Sequence, residues 1–166
     1  YKVLSETDHM TGCANRVAMD EFINVFEAYP QAMKNKVTII AADVDHLKLI
    51  NDRYGHMEGD NAICLTAELL RKHFSEYGIS CRVGGDEFVC LLKNMAEQDV
   101  RRNVAEIDSE AAGMENSIGY RYSVSVGYAV YNAEQDRNLH DTIARADEWM
   151  YKIKREHEND EPSTQT

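Results

Sequence analysis

Arg82-Val83-Gly84-Gly85-Asp86-Glu87-Phe88-Val89-Cys90-Leu91-Leu92 sets two short apolar runs around a pair of glycines, with two carboxylates directly after them. Gly-Gly between strand-like runs predicts a tight hairpin with arms from Ile79 to Val83 and from Phe88 to Lys93, because glycine reaches the positive φ values that primed turns require. The tip of that hairpin carries both acids. Asn-Gly or Asp-Gly would serve a simple turn, so the extra acid points to a small divalent metal. In isolation such a string is more often a solvated turn.

A second acidic cluster upstream changes the reading. Val37-Thr38-Ile39-Ile40-Ala41-Ala42-Asp43-Val44-Asp45 has the continuous apolar pattern of a buried strand and ends in acids. It is followed by His46-Leu47-Lys48-Leu49-Ile50-Asn51-Asp52-Arg53-Tyr54-Gly55-His56 and then by Gly59-Asp60. If the strand lies beside the hairpin, Asp43 faces Asp86 and Glu87 across one edge of a sheet. Three carboxylates so placed repel one another unless a cation sits among them.

Gly84-Gly85-Asp86-Glu87-Phe88 is the signature of the GGDEF family of diguanylate cyclases, and Asp43 to Asp60 resembles that family's D-x-D-x-x-K-x-x-N-D-x-x-G-H-x-x-G-D pattern. Asp8-His9-Met10-Thr11-Gly12-Cys13-Ala14-Asn15-Arg16, Ser123-Val124-Ser125-Val126-Gly127 and Arg145-Ala146-Asp147-Glu148-Trp149-Met150-Tyr151-Lys152-Ile153-Lys154 extend the resemblance over nearly the whole chain.

Bulk properties agree with one domain. The 166 residues are 43% hydrophobic, enough for a single core. Acidic residues outnumber basic ones 29 to 18, for a net charge of −11, so nucleic acid is a poor partner. A nucleoside triphosphate would have to arrive with metal and meet local lysines. Cys13, Cys64, Cys81 and Cys90 lack metal-type spacing and fit reduced thiols in a cytoplasmic protein. No run is long enough to span a membrane, and the first residues hold no signal-peptide core. The chain opens abruptly, as if cut from a longer parent that could itself be membrane-anchored.

Along the chain, a helix is expected from Asn15 to roughly Tyr29, with Val17, Phe22, Ile23 and Phe26 inward and Pro30 ending it. Gly59-Asp60-Asn61 opens a second helix through about Phe74, and Met95 to Ala112 reads as a third. Tyr120 to Val130 alternates as a long strand, and Leu139 to about Arg155 is the last helix, inward through Ile143, Ala146, Met150 and Ile153. His157 onward is polar and acidic, so the expected organisation is a domain of residues 1–156 and a disordered tail of residues 157–166. Together these elements predict an α+β fold with one central, mostly antiparallel sheet wrapped by helices. The resemblance implies the same, akin to the palm of nucleotide cyclases and polymerases.

The resemblance also implies a task for each matched residue. Asp43, the backbone carbonyl of Val44, Asp86 and Glu87 would hold magnesium or manganese, two ions per site, which prefer hard oxygen ligands. Asp86 occupies the general-base position for the ribose 3′-hydroxyl, although a carboxylate bound to a cation is a weak base. Lys48 would set a cation against the triphosphate during transfer, and Lys154 would hold the terminal phosphates. Asn51 and Asp60 would select guanine, since a carboxylate accepts from two adjacent N–H donors and an amide both donates and accepts. Without the motif, Asp60 reads as a helix N-cap, Asn51 as a turn former and both lysines as exposed surface charges. Thr11-Gly12 and Asn15-Arg16 would shape a loop at the phosphate end, and Thr11 or Asn15 serves equally well as a helix cap. No chemical role falls to Asp45 or His46, and Asp147 is read as structural.

Joining two GTP molecules across one guanine pocket per chain implies a homodimer, governed by an upstream sensory or coiled-coil segment. Nucleic acid and membrane are not expected partners of this domain. Leu47, Met10, Cys13 and Ala14 depart from the family pattern by apolar exchanges that affect packing alone. Glu158 stands where a phosphate-binding Arg often follows the lysine, with Arg155 one turn earlier as a substitute. Ser75-Glu76-Tyr77-Gly78 replaces the R-x-x-D motif of product inhibition, so no feedback is expected through that site. Two readings follow: a metal-dependent cyclase making cyclic di-GMP and pyrophosphate, or a weak or inactive module that binds GTP or cyclic di-GMP and signals without turnover.

Overall fold

The computed structural model describes residues 6–114 and 119–159. Among the described residues four strands, β1 (Val37–Val44), β2 (Gly78–Arg82), β3 (Glu87–Lys93) and β4 (Val124–Val130), form one sheet in the order β2-β3-β1-β4, with every neighbouring pair antiparallel. The α+β expectation therefore holds, with the acid-ended strand at the centre. Every residue of β1 is buried, as its unbroken apolar run requires of a strand covered on both faces.

Among the described residues six helices accompany the sheet: α1 (Arg16–Glu27), α2 (Gln31–Lys34), α3 (Leu47–Tyr54), α4 (His56–Phe74), α5 (Glu97–Ala112) and α6 (Leu139–Asn159). Helices α4 and α5 cover one face, where Ile63, Leu70 and Ile107 meet Ile40, Cys90 and Val126. On the other face α1 and α6 bring Ile23, Phe26, Ala146 and Met150 onto Ile39, Leu91 and Ala129. Val17, expected inward on α1, is 55% exposed, and Met19 takes its place beside Ile23 and Phe26. The inward stripe runs at positions 19, 23 and 26, the spacing of one helix face.

Three further expectations change. The helix Leu47–Tyr54 was not anticipated, because Asn51 and Asp52 weaken its propensity and Gly55 cuts it to two turns. His46, at φ 57°, supplies the left-handed residue that swings the chain from β1 straight into α3. Strand β4 begins at Val124 rather than Tyr120, because its partner β1 ends at Val44, directly opposite Val124. Finally, α6 runs through His157 to Asn159, past the expected end near Arg155, because His157 is anchored by side-chain bonds described below. Residues 160–166 of the expected tail lie outside the described residues.

Helix α6 reaches β4 at Gly127. A Cβ there would sit 2.3 Å from the Met150 nitrogen and 2.5 Å from the Ala146 carbonyl, both rigid backbone. Gly127→Ala is therefore expected to lift α6 and cost about 2–3 kcal/mol, the scale of overpacking. Urea denaturation would read this as a lower midpoint at unchanged slope. Among the described residues no helix is long and apolar enough to cross a membrane.

Candidate functional site

The antiparallel register places Asp43, near the end of β1, directly opposite Glu87, the first residue of β3. One residue on, the Val44 N–H donates to the Asp86 carbonyl at 3.3 Å. The two acidic motifs thus meet at one edge of the sheet, as their sequence pattern predicts. The turn between β2 and β3 is not the primed type, however: Gly84 and Gly85 are absent from the positive-φ residues, and the loop closes through Val83 N–H to the Glu87 carbonyl at 2.9 Å. Nothing lies within 4 Å of where a Cβ of Gly85 would sit, so intramolecular packing does not require a glycine there.

Arginines brace this tip instead. Arg82 donates through Nε and Nη2 to the Gly85 carbonyl at 3.0 and 2.7 Å, and through Nη1 to Asp8 Oδ1 at 3.3 Å. Arg16 Nη2 reaches the Val83 carbonyl at 3.3 Å. Asp8 in turn accepts from the Thr11 N–H and hydroxyl at 3.0 and 2.7 Å. The segment around Thr11 and Gly12 is thereby tied to the acid-bearing tip. Asn15 takes the capping role, its Oδ1 accepting from the Ala18 N–H.

Asp43 carries the electrostatics of the site. It is 6% exposed, its Oδ2 accepts from Lys154 Nζ at 2.8 Å, and its Oδ1 is the buried side-chain polar atom left without a hydrogen-bond partner among the described residues. Burial, followed by the Asp86 carboxyl beside it, pushes Asp43 up to about 7, with Lys154 pulling the other way. For Lys154, burial opposes the charge, yet the bond to Asp43 and the surrounding acids hold the ammonium above its ordinary range. A buried carboxylate with an orphan oxygen and a lysine as its counter-cation suits a hard divalent ion on chemistry alone.

The remaining sequence candidates gather around this corner. Lys48 is exposed on the first turn of α3, and Asn51 lies one turn further. Asp60 is not an N-cap: α4 starts at His56 behind Gly55, which leaves Asp60 exposed inside the helix. A Cβ on Gly59 would fall 1.8 Å from Asn51 Oδ1, so the bare glycine lets the Asn51 amide lie against α4 beside Asp60. Glu87 is exposed at the sheet edge, and Asp86 is half-buried. Arg155 stacks its guanidinium over the Tyr151 ring at 5.4 Å.

Sequence reasoning missed the network around Asp45. This carboxylate is 1% exposed and accepts from the Ser123 and Ser125 hydroxyls, both at 2.5 Å, while His157 Nδ1 lies 2.6 Å from its Oδ2. The Ser-x-Ser spacing on a strand, which puts both hydroxyls on one side, was the available signal. A second group, His73 with Glu106 and Glu110, is closed on itself: the ring nitrogens face Asn103 Oδ1 and Glu110 Oε1, both at 2.8 Å.

A family model described as "Diguanylate cyclase, GGDEF domain" matches residues 5–160. A diguanylate cyclase of Vibrio cholerae is 29% identical over 164 residues, covering 94% of this chain and 49% of that protein. Diguanylate cyclase DgcP of Pseudomonas aeruginosa is 29% identical over 150 residues, 90% of this chain and 22% of its own. The chain thus spans about half, or less, of these relatives. Among solved structures, the coiled coil and GGDEF domain of DgcB from Caulobacter crescentus, in complex with c-di-GMP, superposes with a TM-score of 0.83 at 26% identity, covering 93% of this chain and 83% of that one. Diguanylate cyclase SiaD of Pseudomonas aeruginosa, in complex with its activator SiaC, gives 0.80 at 25% identity, covering 93% and 61%.

Proposed function

Because this chain belongs to the GGDEF family, whose domain is a cyclase of the nucleotidyltransferase type, we propose that it condenses two GTP molecules into cyclic di-GMP. Each ribose 3′-hydroxyl attacks the other nucleotide's α-phosphate, so two phosphodiester bonds form, two α–β anhydride bonds break and two pyrophosphates leave. The observation that carries the reading is the meeting of Asp43, Asp86 and Glu87, with Asp43 Oδ1 buried and unpartnered.

Asp43, the Val44 carbonyl, Asp86 and Glu87 are the residues that would hold magnesium or manganese. Such ions, when bound, neutralise charge on the triphosphate and favour pyrophosphate departure. Lys154 now balances Asp43 and has the reach to serve the terminal phosphates instead; Lys48, on the adjoining helix, is free to face the transferring phosphate. Asp86 sits at the general-base position for the attacking hydroxyl. Asp60 and Asn51 are set to bind the guanine edge. One chain supplies one such pocket, so the active species is a homodimer with half of the reacting pair on each subunit. Its association is set by sensory or coiled-coil sequence upstream, and its setting is cytoplasmic.

One observation favours the second reading, a binding module without turnover. Glu158 is exposed four residues after Lys154 on α6, which puts an acid on the same side of the helix as the phosphate-binding lysine, while Arg155 is engaged with Tyr151. Incubating the dimerised chain with GTP and magnesium and assaying both pyrophosphate and dinucleotide separates the two. Cyclase activity requires both products in step; tight GTP binding without either supports the module. Ser75-Glu76-Tyr77-Gly78 offers no Arg–Asp pair for the product, so added cyclic di-GMP should leave the initial rate unchanged. Inhibition that a change at Ser75 relieves would contradict this.

A further inference from the structure

Fully buried residues of α6 stop at Met150; beyond it Ile153 is half-buried and lines a cavity with Val124 and Val126, and polar contacts add to the seating of the turns that carry Lys154. Two of these form a pair. Lys154 bonds Asp43, and His157 bonds Asp45. Asp43 and Asp45 are two apart at the end of β1, about 6.6 Å along an extended chain, and lie on the same side. Lys154 and His157 are three apart on one helix face, about 4.5 Å along its axis. The longer lysine stem makes up the difference, so strand and helix are fastened at two matched points.

The two fastenings are not equivalent. In the proposed reaction Lys154 leaves Asp43 for the nucleotide, and its flexible stem fixes nothing by itself. The His157 bond is the one that persists. Asp45 accepts only, and the Ser125 hydroxyl, 3.1 Å from Nδ1, is already donating to Asp45, so Nδ1 must carry the hydrogen. The far nitrogen, Nε2, points toward Asp108 of α5 at 3.8 Å.

We propose that His157 is a positioning residue: its Nδ1–H bond to buried Asp45 seats the last turns of α6 and thereby holds Lys154 at the acid corner. This rests on reading the corner as the GTP site, and the test keeps the two claims apart. Lysine acylation of the 166-residue chain, without nucleotide or metal, is read by mass spectrometry at Lys154 against exposed Lys152. His157→Ala should raise labelling of Lys154 toward that of Lys152. His157→Asn, whose amide nitrogen falls near Nδ1, should restore protection, and His157→Gln, whose amide falls near Nε2, should not. With GTP and magnesium, His157→Ala should lower kcat/KM about tenfold, the scale of one charged hydrogen bond, chiefly through KM because the terminal phosphates are held in ground and transition states alike. Unchanged Lys154 labelling in His157→Ala, or equal behaviour of the Asn and Gln variants, overturns the proposal. Absence of turnover in the unmodified chain would instead count against the cyclase reading, leaving the labelling result to decide the role of His157.

Discussion

Asp43→Asn should all but abolish dinucleotide synthesis and, without metal or nucleotide, make the domain more stable at pH 8 than the parent. The loss of activity follows from removing the proposed anionic metal ligand: several kcal/mol of charge stabilisation at the reacting phosphates, about a thousandfold in rate. The gain in stability follows from linkage. Folding raises Asp43 from the ordinary carboxylate value of 3.8 to about 7, through burial first and the Asp86 carboxyl second. The folded state therefore holds its proton more tightly than the unfolded chain. The contribution to stability is complete below about pH 4 and is lost as pH rises through about 7. At pH 8 the parent carries an ionised, half-compensated Asp43, whereas asparagine mimics the protonated acid, its amide able to donate toward Asp86 and accept from Lys154.

The stability difference between variant and parent should accordingly widen between pH 5 and pH 8. Groups whose folding shift runs the other way, such as Asp8 and Asp136, are common to both proteins and cancel in that difference. Magnesium should raise the unfolding temperature of the parent at pH 8 and do little for Asp43→Asn. A variant that keeps its turnover, or gains as much from magnesium as the parent, would remove Asp43 from the site.

How much of this corner the sequence disclosed depended on where the determining physics lay. Asp43 and Asp86 were legible because each sits at a strand end, and an antiparallel pair brings strand ends together by register alone. Asn51 and Asp60 were legible as candidates from motif spacing, but the close approach of Asn51 to Gly59 depends on how α3 and α4 cross. The glycines of the tip were read for the wrong reason: a four-residue loop held by Arg82 and Arg16 does not call on positive φ. Arg82 and Asp8 are 74 residues apart, so no local pattern relates them. His157 was lost among polar residues for the same reason, since its partner Asp45 is 112 positions away and a run of charges at a chain end reads as solvated.

Base selection should be the most sensitive function to perturb without touching the acids. Asp60 is exposed on α4, so Asp60→Asn removes no packing and should leave the unfolding temperature unchanged. Its effect falls on the nucleotide. Guanine offers two adjacent N–H donors, and a carboxylate accepts both; an asparagine must turn its own N–H against one of them. The lost acceptor and the new donor–donor clash should lower kcat/KM for GTP by about a hundredfold or more. Adenine presents one acceptor and one donor, a pattern an amide matches, so ATP should become the better competitor. Initial rates with GTP against increasing ATP test this directly. Should the variant discriminate as sharply as the parent, the base must be read elsewhere, and the Asn51–Gly59–Asp60 corner would be a helix contact with no part in recognition.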